Sequence, residues 1–139
     1  MGWFGYGIYD GDDTQTQHIS FIKWSGIEKN KNVIFDWLTA RGTIIPYGKK
    51  KSFIKNIGKI TRKIKLPKYW NEDKAIEWQM LLSLLIDNKI KPPKLVFDKG
   101  VEATEYLIGQ CCGDYDNPSY RASALRRFIK KAYRIKNKR

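Results

Sequence analysis

The sequence predicts a mainly α fold: an irregular bundle of about six short helices, forming a single domain over 1–139 with a basic C-terminal tail. Three observations carry that expectation. Apolar residues recur at three- and four-residue spacing through most of the chain, and asparagine, glycine and proline punctuate the runs at intervals that suit short helices. One run, around Leu81, is apolar on nearly every side and marks the centre of a core. With 139 residues, 42% of them hydrophobic, the chain has material for one core, since a chain of this size buries roughly two thirds of the surface it exposes when unfolded.

The elements follow in order. Asp10, Asp12 and Asp13 supply N-caps for a helix beginning near Thr14, with Ile19, Ile22 and Trp24 turned inward. Asn30 or Asn32 caps a second helix whose apolar side is Val33, Ile34, Trp37 and Leu38, and Gly42 offers it a left-handed stop. After a break at 43–48, Phe53, Ile57, Ile60 and Ile64 fall at i, i+4, i+7 and i+11, which predicts one helix over 49–66 with a single apolar stripe. Gly58 weakens that helix by about 1 kcal/mol relative to alanine, and Pro67 ends it. The core helix spans 71–90, with Glu72 and Asp73 at the positive end of its dipole. Pro92 and Pro93 separate it from a fifth helix that presents Phe97, Val101, Thr104 and Ile108 and ends near Gly109. A sixth starts near Asn117 or Ser119, with Leu125, Ile129, Ala132 and Tyr133 as its inner stripe. No internal repeat supports a solenoid.

Charge is the most informative functional feature. Lys49, Lys50, Lys51, Lys55, Lys59, Arg62, Lys63, Lys65 and Lys68 succeed one another with no acid between them. Arg121, Arg126, Arg127, Lys130, Lys131, Arg134, Lys136, Lys138 and Arg139 do the same at the end of the chain. The two segments hold +18, so the rest of a chain of net charge +13 carries −5. Solubility alone does not call for such segregation, whereas neutralising phosphates does, each contact releasing condensed counterions. The expectation is a non-enzymatic nucleic-acid-binding protein, for DNA or RNA. Lys49, Lys50, Lys51, Lys55, Lys59, Arg62 and Lys63 on one helix would contact phosphates, with Arg126, Arg127, Lys130, Lys131 and Arg134 on another. Such binding is simplest if both segments emerge together as one electropositive surface.

Aromatic residues border both segments: Tyr47, Phe53, Tyr69 and Trp70 the first, Tyr115, Tyr120 and Tyr133 the second. Phe53 and Tyr133 fall on inner stripes, and Tyr69, Trp70 and Tyr120 are the candidates to stack on unpaired bases. A helix-turn-helix is disfavoured, because 42–48 is longer than the three- or four-residue turn that motif uses. The alternative is a small inhibitor of the phage type, or another interaction protein, docking on an acidic protein or a host nucleoprotein complex. A third expectation, attachment of the basic helix to an anionic membrane surface, draws on the same cations.

Enzymatic chemistry finds no positioned constellation. His18 is the one histidine, a structural or surface residue on the first helix, and a zinc site of two cysteines and two histidines is excluded. An EF-hand loop from Asp10 would place glycine and glutamate where Gln15 and Phe21 stand, so the acidic cluster is assigned to capping. Gly2, Gly5 and Gly7 match neither a phosphate loop nor a dinucleotide fingerprint. No metal and no cofactor is expected. Cys111 and Cys112 are adjacent and lack the spacing of a redox or zinc pair. Neighbouring cysteines do not close the long loops of secreted disulfide scaffolds, which points to a reducing cytoplasm. The expected protein is neither secreted nor membrane-spanning, since no stretch approaches the roughly 20 apolar residues a bilayer requires. Twenty lysines against seven arginines, with seventeen isoleucines, fit an AT-rich genome such as that of a phage, a virus or a low-GC bacterium.

The opening residues Trp3, Gly5, Gly7, Ile8, Tyr9, Asp12 and Asp13 resemble the signature of an uncharacterised bacterial and phage domain family. Its members begin with tryptophan, spaced glycines, an aromatic and an acidic pair before the first helix. The resemblance spans roughly fifteen residues and extends loosely to the apolar run 75–86. It implies a small helical protein without an assigned activity. Here Phe4 separates the tryptophan from the first of these glycines, and the alanine and tryptophan that usually follow the acidic pair are absent.

Overall fold

The run that is apolar all round becomes the axis of the molecule in a computed structural model, with the other helices laid around it. The structure describes residues 12–39, 42–110 and 118–137, apart from the side chains of 12–15 and 118–121. Its elements are α1 (Asp12–Ser25), α2 (Lys31–Phe35), β1 (Leu38–Thr39), β2 (Gly42–Thr43), α3 (Tyr47–Lys55), α4 (Ile57–Ile64), α5 (Glu72–Asp87), α6 (Lys94–Gly109) and α7 (Pro118–Asn137). The fold is mainly α, as predicted, with seven helices among the described residues in place of about six. The glycine- and aromatic-rich opening with Asp10, the cysteine pair, Tyr115 and Asn117 lie outside the described residues, as do Lys138 and Arg139.

Helix α5 is central because it has no polar face to give to water: Ala75, Ile76 and every residue from Trp78 to Ile86 are buried. Asn71 caps it, its side-chain oxygen accepting from the Lys74 backbone N–H at 2.8 Å. At the other end Lys89 takes a left-handed φ of 56°. Its N–H bonds to the Ile86 carbonyl at 3.1 Å while that of Ile90 bonds to Leu85 at 2.9 Å, the pairing of a Schellman stop. Helices α1, α4, α6 and α7 all pack on α5. The α6 contact is the tightest at Gly100, where an added Cβ would come within 2.6 Å of Leu82.

Four expectations need correction. The helix over 49–66 is two helices broken at Asn56, whose backbone sits at φ −103°, ψ 8°. The apolar stripe survives the break, since Phe53, Ile57, Ile60 and Ile64 are all buried; a run of buried positions does not require a continuous helix. The second helix ends at Phe35, capped by Asn30, so Trp37 and Leu38 lie beyond it. Gly42 stops no helix: at φ 125° it opens β2, which pairs antiparallel with β1 in the register Leu38↔Thr43 and Thr39↔Gly42. A Cβ on Gly42 would run into the Asp87 carboxylate. On α7 the buried side is Ala122, Leu125, Phe128 and Ala132, whereas Tyr133 is 46% exposed. Leu125 and Ala132 hold their predicted inner places and Ile129 packs partly against the core, while Phe128 takes the buried place expected of Tyr133.

Two polar side chains tie the ribbon to α5. Asn88 accepts from the Ile45 backbone N–H at 2.7 Å and donates to the carbonyls of Thr43 at 2.9 Å and Leu84 at 2.8 Å. His18, from α1, is buried against Thr43, Met80 and Ser83. The Met80 carbonyl only accepts, so the His18 proton sits on Nε2, 3.1 Å away. Nδ1 then accepts from the Thr43 hydroxyl at 2.6 Å. Burial pushes the His18 pKa from 6.5 down to about 4, the hydrogen bond to Met80 opposing it in part. The histidine is a neutral structural clamp between three elements.

Candidate nucleic-acid interface

Helix α7 separates its residues cleanly by face. Leu125, Phe128 and Ala132 face the core, while Arg126, Arg127, Lys130, Lys131 and Arg134 are all exposed. At 100° per residue the five cations occupy an arc of roughly 140°, in two rows, and the row from Arg126 through Lys130 to Arg134 is about 12 Å long. The helix carries no acidic residue. Phe97 of α6 anchors its C-terminal half, with the Tyr133 ring edge-on at 5.0 Å and the Lys136 ammonium 4.3 Å from its centroid. Beside it lies an open, largely apolar recess of about 690 Å³ bordered by Ile129, Lys130, Tyr133, Arg134, Ile135 and Asn137.

Among the described residues the first basic segment divides into cations with partners and cations without. Lys49 is half-buried: its ammonium donates to Glu28 Oε2 at 3.1 Å and to the Ile27 carbonyl at 3.3 Å, and lies 5.3 Å from the Trp37 ring centroid. The Asn30 backbone N–H, and then the Lys49 ammonium, hold the Glu28 carboxyl below its ordinary range. Lys50 is half-buried as well and donates to the Asn88 carbonyl at 3.1 Å. Both therefore pin α3 to the rest of the fold. Lys51 and Lys55 on α3, and Lys59, Arg62 and Lys63 on α4, are exposed, and neither helix contains an acid. Among the described residues no carboxylate pairs with an exposed cation of α3, α4 or α7.

The two segments do not merge into one packed unit. Helix α4 packs on α1 and α5, α7 packs on α6 and α5, and no substantial interface joins α4 to α7. The cations of the two segments thus stand on helices that both pack on α5 without packing on one another. No protein family, curated protein or solved structure matches this chain. What the faces do must follow from their own chemistry.

Of the aromatic candidates, Tyr69 is 86% exposed, Trp70 is half-buried against the core, and the Tyr120 side chain lies outside the described residues. Tyr47, not among those candidates, is 90% exposed at the start of α3. Its spacing was the available signal: Tyr47, Lys51 and Lys55 fall at i, i+4 and i+8, on one side of the helix.

Proposed function

We propose that this chain is a non-enzymatic nucleic-acid-binding protein that contacts phosphates through two cationic faces, one on α3 and α4 and one on α7. The carrying observation is that the exposed cations of both faces have no carboxylate partner among the described residues. Gathering like charges costs the folded state self-repulsion, which a polyanion relieves. Lys51, Lys55, Lys59, Arg62 and Lys63 hold phosphates on the first face; Arg126, Arg127, Lys130, Lys131 and Arg134 hold them on the second. Lys49 and Lys50 position α3. These contacts fix orientation without reading bases, so sequence selectivity is low. Binding belongs to a reducing cytoplasm.

Fluorescence anisotropy with labelled oligonucleotides tests the proposal. Combining Arg126→Ala, Lys130→Ala and Arg134→Ala should weaken binding for every sequence and flatten the dependence of log K on log salt by about one unit per phosphate contact removed. Absence of binding by the unaltered protein at low salt overturns the proposal.

A second function is favoured by the recess on α7, whose apolar walls do nothing for a phosphate. A partner with an aliphatic or aromatic anchor beside carboxylates fits Ile129 and Tyr133 flanked by Lys130 and Arg134. In that case the chain is an interaction protein, such as the small inhibitors that phages and mobile elements carry, docking on an acidic protein or a host nucleoprotein complex. Nuclease treatment of purified complexes distinguishes the two: it releases partners bridged by nucleic acid and leaves a directly docked protein in place.

A further inference from the structure

A tyrosine stands at each end of the first cationic run, Tyr47 as the first residue of α3 and Tyr69 five residues beyond α4. They are 90% and 86% exposed, and neither ring contacts another ring or a cation among the described residues. Folding ordinarily buries much of an aromatic ring, because its apolar faces gain from leaving water. Nothing among the described residues accounts for leaving two of them there. Among the described side chains of helix α7 the exposed aromatic, Tyr133, is instead committed to the edge of Phe97 at 5.0 Å. The first cationic run therefore combines two helices without acids and two rings without a ring or cation partner among the described residues, whereas the exposed ring described on α7 is engaged.

We infer that the α3–α4 face takes single-stranded nucleic acid, with unpaired bases stacked on Tyr47 and Tyr69 and the backbone held by Lys51, Lys55, Lys59 and Arg62. The inference rests on the nucleic-acid function proposed above and narrows its substrate. The physical basis is that a duplex covers the face of each base with its neighbours, so ring stacking adds affinity only where bases are unpaired. Phosphate contacts make no such distinction. The α7 face should then bind both forms alike, and preference for single strands should reside in the two tyrosines.

The test compares an oligothymidine of about 15 nucleotides, near the upper range of single-strand site sizes, with a duplex of the same length. Tyr47→Ala and Tyr69→Ala, singly and together, are set beside Tyr47→Phe and Tyr69→Phe. Circular dichroism confirms that each variant is folded, as expected for side chains this exposed. Each alanine should weaken oligothymidine binding about fivefold or more, the lower bound for losing one stacked base. The phenylalanine variants should retain affinity, and duplex binding should be unchanged in all of them. Unaltered oligothymidine affinity in the double alanine variant overturns the inference, as does an equal loss for the duplex. Combining Arg126→Ala with Lys130→Ala separates the two levels of the proposal. If that variant weakens both probes while the tyrosine variants weaken neither, stacking fails and phosphate binding stands. If the unaltered protein binds neither probe, both fall.

Discussion

Acid should destabilise this protein through His18 before its carboxylates titrate in earnest. The side chain is fully buried and neutral, with Nε2 committed to the Met80 carbonyl and Nδ1 to the Thr43 hydroxyl. Burial lowers its pKa from 6.5 to about 4. Between those values the unfolded chain binds a proton that the folded chain refuses, so this contribution is fully present above pH 6.5 and is lost as the pH falls toward 4. The whole shift corresponds to about 3 kcal/mol, of which about 2 kcal/mol is gone by about pH 5. Urea unfolding at about pH 7.5 and about pH 5, for the unaltered protein and for His18→Gln, isolates the effect, because glutamine does not titrate. The unaltered protein should lose about 2 kcal/mol more than the variant over that interval. Parallel losses in the two proteins would refute the neutral-clamp assignment.

Other perturbations bear on the packing. Gly100→Ala forces a Cβ into the Leu82 side chain and should cost about 1–3 kcal/mol, seen as a lower thermal midpoint. Lys89→Gly removes a left-handed lysine from the α5 stop and should stabilise by about 1 kcal/mol in denaturant titration. Gln79 is buried in α5 with neither amide atom hydrogen-bonded to any described residue. Gln79→Met, of similar volume and without that desolvation penalty, should therefore raise stability by about 1–3 kcal/mol; a lower midpoint would mean that the amide has a partner.

The sequence revealed what local spacing controls and missed what distant partners control. Helix α5 was legible because an all-apolar run has only one place to go, and Asn71 marks its start by a local hydrogen bond. The stripe from Phe53 to Ile64 was legible as burial, yet the break at Asn56 was not, since the same positions stay buried on either side of it. The β1–β2 ribbon was invisible: two-residue strands carry no periodicity, and it is held in part by His18 and Asn88 from outside the segment. On α7, Leu125 and Ala132 were legible, but Phe128 and Ile129 are both apolar, so composition could not say that Phe128 would be the more buried once α7 packs on α5 and α6. The exposed cations of both faces were named from charge segregation. That Lys49 and Lys50 are engaged could not be read there, because Glu28 and Asn88 lie 21 and 38 residues away in sequence. Tyr47 was missed because its neighbours suggested a loop, whereas it begins a helix.

Binding through phosphates is electrostatic, so the most direct measurement is the affinity of the unaltered protein for a labelled oligonucleotide as salt is raised from about 50 to about 200 mM. Six or more phosphate contacts from the two faces predict a fall of about a thousandfold or more across that range. An affinity that holds constant over the same interval contradicts phosphate contact as the source of binding.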